Sequence, residues 1–343
     1  MNNYTESKLS NTLVRGFWLF LSVFTSAPIA IGYGVLLRAI MGGGLFGYTL
    51  PADIRDVLGT LTAAFMLLGP FAIGVLTVAF APSEWRQSIV YALVMSLINC
   101  TLWVLVVLIL NLEVAICLAM ALPIILPLAI LGGLSMWVVF RVWHGLRGQL
   151  SAVAVFVLLP YLIAPIESRL PIEDSFHTVE TVLVIKADPQ TIWQTMIRVP
   201  AIQPSERDFR LFHALGMPWP VEAVLDRDGL GGVRFAKYEG GLQLQEPITA
   251  WQPNQTFSFD IVVVEPERLP PPYNGLGGPA FAPLNATFIL EPLGPGQTRV
   301  RLISQHRLTT RFNAYGGLWT EFFMADIQNH ILHVIQVRAE AGP

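Results

Sequence analysis

Five stretches in the first 166 residues, 16–37, 57–81, 88–110, 114–140 and 150–166, contain no Asp, Glu, Lys, Arg or His. A helix needs about 20 apolar residues to cross a hydrocarbon core of roughly 30 Å. Four of the five reach that length, and 150–166 falls a little short. A chain so built has few choices in water, so the expectation is about five membrane spans. Pro28, Pro70, Pro123, Pro127 and Pro160 lie inside these runs. Neighbouring helices tolerate them by satisfying the backbone groups that proline frees. A cleaved leader fits the first run poorly, because Arg38 follows it without a small-residue cleavage pattern and further apolar runs come after.

The charge distribution divides the chain in two. Residues 1–166 hold seven basic and five acidic side chains, and the remainder holds 14 and 19. Positively charged loops stay cytoplasmic. Lys8, Arg15, Arg86, Arg141 and Arg147 fall on one side of the expected spans, against Arg38 and Arg55 on the other. The expectation is an integral membrane protein of a bacterial inner membrane, with a cytoplasmic N-terminus and, after five crossings, a periplasmic C-terminal half. If 150–166 lies in the interface instead of spanning, the side inverts. The net charge of −3 and the absence of a basic cluster argue against nucleic acid as a partner. Cys100 and Cys117 both sit in apolar runs, so spacing suggests neither a disulfide framework nor a cysteine zinc site. With no ionisable group inside the runs, 1–168 reads as an anchor rather than a pump. The polar triplet Asn99-Cys100-Thr101 reads as an interhelical hydrogen bond.

From 169 to 343 the pattern becomes that of a soluble α+β domain. Residues 177–187 alternate as a strand. Asp188 and Pro189 then open a short helix with Ile192, Trp193, Met196 and Ile197 on one face. Strand-like runs follow at 221–226, 233–238, 242–251, 256–264, 286–291 and 298–308. Glycine-rich turns at 228–232 and 294–296 separate several of them. A helix over 316–341, with Trp319, Phe323, Ile327, Ile331 and Ile335 recurring every four residues, closes the chain.

This order, carried by 181–193, 246–259 and the 319–338 helix, resembles the START-like superfamily, also called the SRPBCC or polyketide cyclase/dehydrase and lipid-transport group. The resemblance covers about 177–341. It implies a helix-grip fold, in which a curved antiparallel sheet wraps the last helix around a deep apolar cavity. It implies no single reaction, since the fold hosts carriers, receptors and enzymes alike.

On strand 298–308, alternation places Val300, Leu302, Ser304, His306 and Leu308 on one face, so His306 is expected to look inward. On the closing helix Asp326, His330 and His333 stack along one side. The expected ligand-contacting set is Ser304, His306, Trp319, Phe323, Asp326 and His330, with His306, Asp326 and His330 as the candidate acid–base groups. The proline-rich segment 265–283 breaks the strand pattern. It reads either as a lid carrying Tyr273 and Phe281 or as a stiff connector. No metal and no cofactor are expected, because nucleotide fingerprints, hydrolase elbows and zinc motifs are missing from this half. The leading expectation is a membrane-anchored domain binding a small hydrophobic or amphipathic ligand, a lipid among the options. The alternatives are a cyclase- or hydrolase-like enzyme, or a docking module for another membrane protein.

Overall fold

The computed structural model describes residues 2–41, 44–45, 48–49, 63–143, 146–269 and 275–342. The chain divides into two compact units, the first covering Met1–Glu113 and Cys117–Pro171 and the second Ile172–Pro343 together with Val114–Ile116. Among the described residues the first holds α1 (Asn2–Met41), a π-helical turn at Ala64–Leu68 running into α2 (Gly69–Ala79), α3 (Ile89–Ile109), α4 (Ala115–Val142) and α5 (Leu146–Glu167). Among the described residues three stretches, Ile89–Ile109, Ala115–Val142 and Arg147–Glu167, are long and apolar enough to cross a membrane. Two shorter apolar helices, Thr25–Ile40 and Ala64–Ala79, accompany them. Three of the five expected runs thus meet the length among the described residues, and 57–62 of the second expected run lie outside them. The fifth run gains length, because its helix extends at both ends to take in Arg147 and Glu167. The buried Glu167 carboxylate then accepts the amide hydrogens of Ala63 and Ala64 at 2.5 and 2.9 Å.

Small residues let these helices approach. A Cβ on Gly74 would meet the Ala129 carbonyl oxygen at 1.8 Å, and one on Gly132 would meet that of Phe71 at 1.9 Å. Asn99 donates from Nδ2 to Ser26 Oγ (3.2 Å) and Thr77 Oγ1 (3.1 Å), linking α3 to α1 and α2. This is the interhelical bonding read from the polar triplet. Cys100 contacts the Ile125 carbonyl, while Thr101 turns back to Leu97 of its own helix.

The second unit is a curled antiparallel half-barrel with a helix at its C-terminal end. Its elements are β1 (Ser175–Ile185), α6 (Pro189–Ile197), a 3-10 turn (Pro204–Glu206), α7 (Leu211–Ala214), β2 (Pro220–Leu225), β3 (Val233–Tyr238), β4 (Gln243–Gln252), β5 (Thr256–Asp260), β6 (Val262–Val263), β7 (Phe281–Gly294), β8 (Gln297–Leu308) and α8 (Asn313–Ala341). The sheet order is β1-β8-β7-β5-β4-β3-β2, with β6 added to β4. First and penultimate elements pair, Ser175 facing Leu308 and Ile185 facing Thr298. This is the helix-grip arrangement.

The strand pattern explains the sheet. On β8, Thr298, Val300, Leu302, Ser304, His306 and Leu308 are buried and the intervening residues are not, as period-two alternation requires. Val300 and Leu302 join Trp193, Met196, Phe257, Phe288, Leu332 and Ile335 in one apolar cluster. Three local readings change. Asp188 holds the N-cap position, yet its carboxylate accepts from Gly296 N (3.0 Å) in the β7–β8 turn instead of capping α6. The run 256–264 splits at Ile261, which donates to the Leu284 carbonyl while Val262 and Val263 turn to pair with β4. The proline-rich segment keeps more structure than expected: Pro266–Arg268 form a 3-10 turn, and β7 already begins at Phe281. Pro283 fits inside that strand because the β7–β8 register shifts beside its partner His306.

The closing helix starts at Asn313. Its glycines are where it comes closest to the sheet. A Cβ on Gly316 would meet Leu308 Cδ2 at 2.9 Å, and one on Gly317 would meet His177 Cε1 at 2.4 Å.

Candidate functional site

Three polar clusters interrupt the apolar packing between sheet and helix. The first comes from register alone. Arg234 on β3 lies opposite Glu246 on β4, both on the inward face, and Arg234 Nη1 donates to Glu246 Oε2 at 2.8 Å. The residues are 6% and 5% exposed, so the pair is desolvated. The guanidinium lies over Phe257 and Phe259, 5.9 and 5.3 Å from the ring centroids. Its Nε is buried without a hydrogen-bond partner. Burial raises the Glu246 carboxyl, against the pull of Arg234. Burial and then the Glu246 charge raise the Tyr238 hydroxyl.

The second cluster holds the first half of the closing helix to β1 and β8. Gln328 accepts from Thr181 Oγ1 (2.6 Å) and donates to Ser304 Oγ (2.8 Å) and the Val179 carbonyl (3.1 Å). His306 is wholly buried and bonds Thr320 Oγ1 through Nε2 at 2.9 Å. Thr320 Oγ1 donates to the Gly317 carbonyl, so the imidazole supplies the proton in that contact and its partnerless Nδ1 is left as a bare lone pair. The ring stacks on His177 at 5.3 Å and sits 5.4 Å from Phe281. His177 in turn meets Glu321 Oε1 (2.7 Å) and Ser175 Oγ (2.9 Å). Burial, followed by the neighbouring His177, pushes His306 down to about 4, with Glu321 opposing.

The third cluster lies farther along the helix. His330, wholly buried, bonds Asp208 Oδ1 through Nδ1 at 2.8 Å. Its Nε2 has no hydrogen-bond partner. Trp219 and His213 stand edge-on to it, with centroids at 5.1 and 5.3 Å. Burial lowers His330, and the Asp208 hydrogen bond opposes that shift. Asp326 accepts from Phe212 N (2.9 Å) and lies 3.7 Å from Arg210.

The candidate residues thus separate. Ser304 and His306 belong to the second cluster, and Asp326 and His330 to the third. Thr320, which holds His306, precedes His330 by ten helical residues, about 15 Å at the α-helical rise. The acid–base partnership expected of His306 with Asp326 or His330 is not assembled. Trp319 stacks on the buried Phe323 at 5.9 Å, next to Phe212. Of the two lid residues, Tyr273 lies outside the described residues. Phe281 is part of strand β7, paired with Leu308. Among the described residues no group of three or more His, Cys, Asp and Glu is arranged to hold a metal.

Sequence reasoning missed Arg234, Glu246 and Asp208. Alternation was the usable signal for the first two, since Arg234 shares a face with Ala236 and Glu246 shares one with Ile248. For Asp208 there was none, because its segment has no period.

No family model matches the sequence, and no curated protein matches it. Solved structures similar to part of this chain include a START superfamily protein from Mycobacterium smegmatis, 13% identical over 48% of this chain and 98% of that one, TM-score 0.32. Truncated norcoclaurine synthase from Thalictrum flavum is 10% identical over 49% and 95%, TM-score 0.31. An uncharacterised protein from Rhizobium leguminosarum is 15% identical over 48% and 98%, TM-score 0.30.

Proposed function

We propose that residues 172–343 bind a small apolar or amphipathic molecule, a membrane-derived lipid being the favoured class, and that the apolar helices of 1–171 keep the domain at a bilayer. The buried Arg234–Glu246 pair carries this reading. A desolvated ion pair is a poor way to gain stability, since well-packed hydrophobic side chains of the same volume do as well or better. A charged group kept among Phe257 and Phe259 with an unused Nε suits a ligand that is greasy over most of its length and polar at one end. Covering ~300 Å² of such a ligand is worth about 7 kcal/mol before ordering costs, so useful binding needs no catalytic group. In this reading the basic residues Lys8, Arg15, Arg86, Arg141 and Arg147 hold the N-terminus in the cytoplasm and the binding domain faces the periplasm.

The test compares full-length wild type in lipid nanodiscs with the double variant Arg234→Met, Glu246→Leu, which keeps volume and removes both charges. Small molecules released on denaturation are identified by mass spectrometry. An amphiphile retained by wild type and absent from the variant is expected. Equal recovery from both, or none from wild type, rejects the reading.

A further inference from the structure

Residues 200–212 run between β2 and the closing helix without a single buried residue. Polar contacts fasten the segment on two sides. Toward the edge strand β2, Val199 and Ala223 exchange backbone bonds (2.9 and 2.7 Å) and Ile202 N reaches the Val221 carbonyl at 2.7 Å. Toward the closing helix the fastenings recur on one face at four-residue steps. Asp326 takes Phe212 N and His330 takes Asp208. Val334 packs with Val199 and Ala223. Arg338 grips Glu206 with two bonds of 2.5 and 2.9 Å and also donates to the carbonyls of Pro200 and Ala201. Beyond α7 the chain turns at Gly216, whose φ of +91° is a backbone state that glycine adopts freely. The segment spans the gap between β2 and α8, and beneath it lie His213, His330 and Phe323.

We propose that residues 200–212 form a charge-latched lid which swings from the closing helix to open the interior, with Asp208–His330 and Glu206–Arg338 as its releasable contacts. The role as a doorway rests on the ligand-binding reading above. The detachment itself does not. A segment with few buried apolar contacts belongs to the low-stability end of a domain, so local opening needs no general unfolding.

The latch is sensitive to acid. The charged and titratable groups around His330 are Asp208 and Arg210 from the lid, His213 from α7 and His333 on its own helix, with Asp326 and Arg207 acting on His213. Burial disfavours protonated His330 in the closed state, and opening restores its ordinary value near 6.5. Burial pushes Asp208 upward, but Arg210 and His330 outweigh it and hold it low. The Arg338 hydrogen bond holds Glu206 low. For all three the open state binds protons more readily. Opening is therefore favoured as pH falls below about 6.5 through the histidine, and further below about 4 through the carboxylates.

Hydrogen exchange of the full-length protein in nanodiscs tests this, at pH 7.5 and 5.5 for wild type and at pH 7.5 for Asp208→Asn and Glu206→Gln. After correction for intrinsic rates, amides of 200–212 are expected to exchange about tenfold faster at pH 5.5 and in either variant, while those of β8 stay unchanged. Uptake of the dye 1-anilinonaphthalene-8-sulfonate, followed by stopped flow, should quicken in parallel. Lid amides that do not respond, or that respond only together with β8, overturn the proposal. So does a faster-exchanging lid with unchanged dye uptake, and in that case the ligand reading survives. If no sample takes up dye although the lid amides respond, the ligand reading falls and the detachable strap stands.

Discussion

At the residue scale the inward charges are the most consequential side chains. Arg234→Met strands the Glu246 carboxylate in an apolar setting, and breaking a buried pair by removing one partner costs about 3–5 kcal/mol. Thermal unfolding of the detergent-solubilised chain should show that loss. The double change to Met and Leu should recover most of it; equal destabilisation by the single and double variants would contradict the account. His306 makes a separate prediction. Its folded-state value near 4 lies below the ordinary 6.5 of an unfolded histidine, so the unfolded chain takes the proton first. Stability from this group is complete above pH 6.5 and drains away as pH falls toward 4. His306→Gln should flatten unfolding free energy against pH across that window, and an unaltered slope would show that another group titrates there.

At the element scale, the closing helix reaches β1 only because Gly317 leaves room for the His177 ring. Gly317→Ala would push that ring off both His306 and Glu321. The expected cost is about 1–3 kcal/mol, as for other overpacked sites, together with a displaced His177 resonance in the NMR spectrum. A normal stability and an unmoved resonance would mean that the helix shifts freely. The elements themselves were largely readable in advance. β8 alternates because one face meets the core and the other meets water, and the 233–238 strand matches its expected bounds. Arg234 and Glu246 share a strand face with Ala236 and Ile248, but their charge hid that alternation, and only their register and burial show them as an inward pair. Elsewhere periodicity says nothing. The strap over 200–212 owes its position to single polar contacts with Asp326, His330 and Arg338, far away in sequence. On α1 the apolar run was visible and lies inside the Asn2–Met41 helix.

At the scale of the whole molecule, the chain consists of two units with separate apolar cores. Residues 172–343 expressed alone should stay in solution and give a dispersed amide spectrum. The full chain should remain with membranes through alkaline carbonate. A truncated domain that precipitates unfolded, or a full chain released by carbonate, would refute this division of labour.

The pairing of Ser175 with Leu308 has a bearing on biosynthesis. Strand β1 leaves the ribosome long before β8, its only sheet neighbour among the described residues, has been translated. Until then it waits as a naked edge rich in valine and isoleucine, a template for stray association. The grip can shut only once β8 has been translated, which makes nascent β1 the stretch most in need of a chaperone.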